Sequence, residues 1–145
     1  MVVNGEEQIV GSDPSGLLRA IRKAGQQPHM DIHIATASLS GSTLSIVFRV
    51  SGGFPGDGAE IYAILVEDAA SSNVMRGENS GRTLSHASVA RTITRLSSIQ
   101  TATKSTIHFP LSASLQFSNH DGRHLIVFAQ APGFGPVLGV DTTPL

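Results

Sequence analysis

The stretch L-S-I-V-F-R-V, residues 44–50, decides the fold class of this chain. Apolar residues stand at every second position, at Leu44, Ile46, Phe48 and Val50. Side chains of a β-strand point to opposite faces in turn, so this alternation is typical of a strand with one buried face. The stretch therefore predicts a half-buried strand.

Strand patterns recur on both sides of this stretch. Ile32 and Ile34 alternate with polar neighbours, and residues 61–66 are apolar on both faces, as expected of a central strand in a two-layer structure. Residues 88–96 alternate strictly and are rich in β-branched side chains, which favours a strand over a helix. With further patterns at 107–111, 125–130 and 137–140, the chain predicts roughly seven to eight short strands. The predicted fold is mainly β, an antiparallel β-sandwich, with a closed barrel less favoured.

The first residues differ from this pattern. Asn4-Gly5 suits a turn with positive φ at both central residues, so a short β-hairpin is predicted. Ser12 or Asp13 can then cap a helix that carries Pro14 in its first turn and ends at Gly25.

The predicted helix has an apolar stripe formed by Leu17, Leu18 and Ile21. A hairpin with one amphipathic helix is too small to be stable alone, so this stripe must cover the sandwich, a partner chain, or sheet strands that are missing from this chain. We therefore divide the chain into residues 1–27 and a sandwich domain, residues 28–145. We expect residues 1–27 to form a homo-oligomer contact, with Val2-Val3 or Gln8-Ile9-Val10 as pairing edges.

Composition excludes several classes of function. Charged residues make up 14% of the chain and the net charge is −1, which argues against nucleic-acid binding. The absence of cysteine excludes a disulfide or a thiolate metal site. No apolar run reaches about 18 residues, so no membrane span is predicted. No signal peptide is predicted at the first residues, so the localisation stays unassigned.

Chemically versatile residues concentrate in one stretch, V-M-R-G-E-N-S-G-R-T-L-S-H-A-S-V-A-R-T-I-T-R, residues 74–95. One hypothesis is a small anion or carboxylate site, with Arg82 and Arg91 as the binding fork. The favoured hypothesis is structural: the polar side chains pair with one another and with backbone, holding a long connection to the strand that follows. It predicts that Arg82→Ala or His86→Ala lowers the melting temperature. The candidate residues are Arg76, Glu78, Asn79, Arg82, His86 and Arg91.

Catalysis by this stretch is the weaker alternative. A hydrolase or metal-dependent enzyme could use Glu78, Arg82 and His86, with a third metal ligand from His120, Asp121 or His124. The histidines show no ligand spacing such as two on one helix face, so no metal and no other cofactor is predicted. His33 and His108 alternate within strands and are expected on the sandwich surface.

Three stretches resemble a bacterial family of secreted thioredoxin-like proteins of unknown function that carry a C-terminal β-sandwich. They are M-V-V-N-G-E-E-Q-I-V-G-S-D (1–13), R-G-E-N-S-G-R-T-L-S-H-A-S-V-A-R (76–91) and V-F-A-Q-A-P-G-F-G-P-V-L-G-V (127–140). The resemblance implies that residues 1–27 are the last hairpin and helix of a thioredoxin-like domain. It also implies a periplasmic or secreted setting. The family's cysteine-containing segment is not in this sequence, so no redox activity is carried over. We therefore expect a non-catalytic accessory module in binding or assembly.

Overall fold

Strands account for most of the computed structural model, as the alternating apolar pattern predicts. The structure describes residues 1–40, 43–53, 55–101 and 122–145 in full, and residues 103–110 by their backbone. Its elements are β1 (Val2–Val3), β2 (Glu7–Gln8), α1 (Pro14–Ala24), β3 (Met30–Ser40), β4 (Thr43–Gly52), β5 (Ala59–Asn73), β6 (Thr83–Ile99), β7 (Thr103–Pro110), β8 (Arg123–Gln130) and β9 (Val137–Pro144).

The N-terminal hairpin and helix form as the local sequence predicts. Asn4 and Gly5 have φ values of 52° and 77°, the geometry for which Asn-Gly is suited. The Asp13 carboxylate accepts a hydrogen bond from the Gly16 backbone N–H at 2.8 Å and so caps α1, which Gly25 ends. No helix in the described ranges is long and apolar enough to cross a membrane.

Two larger antiparallel sheets follow, with strand orders β3-β4-β7 and β6-β5-β8-β9. The mainly β prediction is confirmed, and the two sheets are compatible with the predicted sandwich. Inward-facing residues of both sheets form one buried cluster, to which β4 contributes the alternating apolar residues of positions 44–50. The cluster comprises Met30, Ile32, Ile34, Leu44, Ile46, Phe48, Val50, Ala59, Ile61, Ala63, Leu65, Leu125, Val127, Ala129 and Leu138.

The two sheets meet along the edges of β3 and β9. At Gly139 of β9, a Cβ atom would lie 2.1 Å from the Met30 carbonyl oxygen, so only glycine allows this approach. Nearby, the Asp141 carboxylate accepts a hydrogen bond from the Ile34 backbone N–H at 2.8 Å. This contact satisfies a donor on the edge of β3 and closes one side of the core.

Residues 1–27 contact the larger sheet through the hairpin turn. The Val137 N–H donates to the Asn4 carbonyl at 3.1 Å, and Ala20 of α1 is buried. His33 lies on the surface as predicted, with its side chain 62% exposed. The predicted turn at Gly41-Ser42, most of the turn at 119–122 and the side chain of His108 lie outside the described residues.

Candidate functional site

A two-stranded arm carries most of the candidate residues. β8 pairs with β5 only as far as Glu67, whereas β5 and β6 stay paired as far as Asn73 and Thr83. Residues 68–88 therefore extend beyond the rest of the sheet, and we call them the arm. Most arm side chains are exposed.

The tip of the arm, residues 74–82, is held by backbone hydrogen bonds. The Val74 N–H donates to the Arg82 carbonyl at 2.9 Å, and the Gly81 N–H donates to the Val74 carbonyl at 2.8 Å. Arg76, Glu78, Asn79 and Arg82 are exposed, and their side chains form no hydrogen bond or ion pair in the part of the chain that the structure describes. The four side chains thus present mixed charge to solvent.

The two arginines of the predicted anion fork, Arg82 and Arg91, lie far apart in the structure. Arg82 is in the tip, whereas Arg91 lies in β6, where eight residues of strand from Thr83 place it about 27 Å away. Two guanidinium groups so far apart cannot grip one small anion. The predicted long connection is also corrected, because β5 and β6 are hydrogen-bonded neighbours in one sheet.

Arg91 instead pairs with Glu67 near the base of the arm. Its Nε donates to Glu67 Oε2 at 2.6 Å, and a second guanidinium nitrogen contacts the same oxygen. The Glu67 side chain is fully buried and that of Arg91 is 28% exposed. The register shifts between Leu65 and Val66, so Arg91 is the extra residue of a β-bulge, a feature that redirects side chains.

Glu67 is not among the residues predicted from the sequence, although the sequence contains a signal for it. The alternation of Ile61, Ala63 and Leu65 continues at position 67 and places this carboxylate on the buried face of β5. A charge at an apolar position of a strand needs a partner of opposite sign. That requirement points to an arginine on a neighbouring strand, but not to which one.

His124, a candidate metal ligand, contacts Asp68 on the opposite face of the sheet. The Asp68 backbone N–H also donates to the Gly122 carbonyl at 2.7 Å, which fixes the start of the arm against β8. His86 lies four β5 residues further along the arm, a shift of about 13 Å in the strand direction, and bonds Ser72 Oγ at 2.8 Å. Among the described residues no three His, Asp or Glu side chains converge on a metal position. His120 and Asp121 lie outside them.

Apolar side chains lie on the face of the β6-β5-β8-β9 sheet that points away from the core. Paired residues on neighbouring antiparallel strands share a face, so the register puts six side chains together. The two outermost, Ile93 and Val140, are 62% and 61% exposed. At the centre, the rings of Tyr62 and Phe128 stack with centroids 5.1 Å apart. We call this the outer face, formed by Tyr62, Ile64, Ile93, Ile126, Phe128 and Val140.

Tyr62 gives this face a spectroscopic probe, because the chain has one tyrosine and no tryptophan. Its hydroxyl donates to Glu60 at 2.8 Å, and this bond, with partial burial and the Glu60 charge, holds the pKa of Tyr62 above its ordinary value of about 10. A tyrosine whose pKa is higher in the folded protein than in the unfolded chain stabilises the fold at pH values below the pKa of the unfolded chain. This contribution is lost as the pH rises through the pKa of the folded protein.

We expect the tyrosinate absorbance of the folded protein to titrate at a higher pH than that of the unfolded chain. Glu60→Gln should lower the midpoint, and an unchanged midpoint would contradict the assignment.

The exposure of the arm alters what substitutions there should do. Arg82→Ala should leave the melting temperature within about 2 °C, because exposed side chains without partners contribute about 0.5 kcal/mol or less. His86→Ala removes only an exposed hydrogen bond to Ser72 and should behave similarly. Thermal unfolding followed by circular dichroism measures both. A large loss for Arg82→Ala would restore the structural hypothesis for this motif.

Comparison with known proteins places the chain in a family. The fold is similar to the crystal structure of Spo0M, sporulation control protein, from Bacillus subtilis, with a TM-score of 0.46 and 14% identity. That similarity covers 80% of this chain and 47% of the other, so the chain spans about half the length of that protein. No curated protein matches. The model of a family described as protein of unknown function, DUF1223, matches residues 1–130. The chain therefore belongs to this family.

Proposed function

We propose that this domain is a non-catalytic module for binding and assembly, and that it self-associates through its N-terminal hairpin and helix. The observation that carries the proposal is the uncovered apolar stripe of α1. Leu18 and Ile21 are 55% and 51% exposed, although α1 buries Ala20 against its own hairpin. A helix that leaves large apolar residues in water gains stability when a partner covers them.

The hairpin beside α1 adds to the same surface. Val2 and Val10 are exposed, and an open groove of about 370 Å³ is lined by Met1, Val2, Gln8, Ile9 and Val10. Burying the exposed parts of Leu18 and Ile21 contributes about 2 kcal/mol, before the edges of β1 and β2 form any hydrogen bond. These residues support the association expected from the sequence.

Charge pairing supports a binding role over a catalytic one. Glu67 is paired with Arg91, Asp68 with His124 and Glu60 with Arg95, so these carboxylates serve structure. In the hydrolase alternative, Glu78 and His86 must act together. His86 bonds Ser72 instead, and among the described residues Glu78 forms no hydrogen bond or ion pair with it.

The resemblance in residues 1–13 and 76–91 extends the proposal to the setting of the module. It supports a position beside a thioredoxin-like domain in a secreted protein, with residues 1–27 as the end of that domain and residues 28–145 as the accessory module.

Sedimentation equilibrium of the full chain over a range of micromolar concentrations tests the proposal. We expect a concentration-dependent mass that reaches that of a dimer. Leu18→Glu, which places a charge in the stripe, should shift the equilibrium to monomer, while Met75→Glu, at a still more exposed apolar residue of the arm tip, should not. A monomeric mass for the unaltered protein at every concentration would overturn self-association.

A further inference from the structure

The described residues leave two apolar surfaces uncovered, one on a helix and one on a sheet. One is the stripe of α1, which contains Leu18 and Ile21, and the other is the outer face, at whose margins Ile93 and Val140 are exposed. A helix packed on a sheet is one of the few stable ways to bury both kinds of surface. The stripe of α1 lacks a sheet to pack on, and the outer face lacks a helix that covers it.

The pattern of β5 indicates a further layer on the outer face. Ile61, Ala63 and Leu65 face the core, while Tyr62 and Ile64 face outward. An antiparallel strand with one solvated face carries polar residues on that face, whereas a strand covered on both sides is apolar throughout. Residues 61–66 of β5 have the second pattern, and in the described part of the chain only one face of this segment is covered.

We propose that the stripe of α1 docks on the outer face of a second copy of this chain, and that the exchange is reciprocal. The inference rests on the proposed self-association and specifies its geometry. Residue i of one copy then contacts residue j of the other and the reverse, which closes a symmetric dimer and leaves no further site open. A contact that is not reciprocal would build a head-to-tail chain of copies. The copy at one end would keep an uncovered stripe, and the copy at the other end an uncovered outer face.

Dimensions favour the reciprocal arrangement over a contact between two helices. Four strands about 4.8 Å apart and two side-chain rows about 7 Å apart give the outer face an area of about 270 Å². The 11-residue α1 is about 16 Å long and fits across this face. If each of the two exchanged contacts covers about this area on both partners, the dimer buries on the order of 1,100 Å² in total. This is close to the lower limit of about 1,200 Å² for stable interfaces. Two helices alone bury about a third of that.

Sedimentation equilibrium of three variants tests the docking. Leu18→Glu alters the stripe, Ile93→Glu alters the outer face, and Met75→Glu is the matched control in the arm tip. We expect each of the first two to raise the dimer dissociation constant at least tenfold, and the control to leave it unchanged. Circular dichroism of each monomer confirms that the variant folds.

Mixing the two weakened variants separates the possible geometries. The Ile93→Glu copy retains its stripe and the Leu18→Glu copy retains its outer face, so a mixed dimer keeps one intact contact. We expect the mixture to associate more strongly than either variant alone, and acrylamide to quench Tyr62 fluorescence less in the unaltered dimer than in a variant monomer.

Three results would overturn the docking. Dimerisation lost in Leu18→Glu but kept in Ile93→Glu rejects the outer face while leaving self-association in place. Loss in both variants without recovery on mixing rejects the exchange. A monomeric unaltered protein rejects the proposed self-association as well, so the two failures are distinguishable.

Discussion

Arg91→Ala should lower the free energy of unfolding by about 3–4 kcal/mol, the largest loss we expect from a charged residue of this chain. The substitution removes a guanidinium group whose Nε lies 2.6 Å from a Glu67 oxygen. Because the Glu67 side chain is fully buried, its carboxylate then loses the charge that offsets its removal from water. Urea denaturation followed by circular dichroism measures the difference.

Arg95→Ala is the matched control for this prediction. Arg95 is on the same strand and pairs with Glu60 at 2.7 Å, but its side chain is 53% exposed. Water screens such a pair, so its loss should cost less than about 1 kcal/mol. Equal losses for the two variants would show that burial does not set the strength of these pairs. The double variant Glu67→Met, Arg91→Met should recover stability relative to Arg91→Ala, because an apolar side chain then replaces the buried carboxylate.

Gly139→Ala should cost about 3 kcal/mol, equivalent to about 10 °C in melting temperature. The new methyl group would lie 2.1 Å from the Met30 carbonyl oxygen, which belongs to backbone and cannot rotate away. β3 and β9 must therefore separate, and this weakens the bond from the Ile34 N–H to the Asp141 carboxylate. Differential scanning calorimetry gives the shift in melting temperature.

Gly56→Ala provides the control for steric conflict. A Cβ atom at Gly56 has no neighbour within 4 Å, and the residue lacks a positive φ. Its substitution should change stability by less than about 0.5 kcal/mol. If Gly139→Ala proved equally mild, the close approach of the β3 and β9 edges would be wrong, and with it the way in which the two sheets meet.

The buried pair also bears on the arm. Glu67 and Arg91 lie near the point where β8 stops pairing with β5. Asp68 contacts His124 at the same point, and its backbone N–H donates to the Gly122 carbonyl. A two-stranded ribbon is marginally stable by itself. The arm is therefore stabilised at its base by ionic contacts, while its tip exposes Arg76, Glu78 and Arg82.

Two apolar surfaces in separate elements support the proposed self-association. The stripe of α1 and the outer face are far apart in sequence, yet both expose large aliphatic side chains. Single exposed apolar residues are common on protein surfaces, but contiguous patches mark interaction sites. A reciprocal dimer accounts for both with one contact type, and Tyr62 reports directly on one of its surfaces.

Local interactions determined what could be predicted from the sequence. The alternation at Leu44, Ile46, Phe48 and Val50 specified a half-buried strand, because the side-chain period of a strand is two. Asn4-Gly5 specified a turn, and Asp13 with Pro14 specified the start of α1, because these preferences depend on neighbouring backbone alone. The mainly β class followed from the sum of such signals.

Only the tertiary structure decided which residues meet. The motif at 74–95 looks like one site in sequence, but an extended strand adds about 3.3 Å per residue, so it separates Arg82 from Arg91. Conversely, pairing of β5 with β6 brings Glu67 to Arg91, and pairing of β5 with β8 brings Asp68 to His124. Strand order and register depend on contacts between distant parts of the chain, which local preference does not encode. The sequence shows that residues 61–66 of β5 are apolar on both faces. Which of the two faces stays uncovered in the described part of the chain depends on how the two sheets pack.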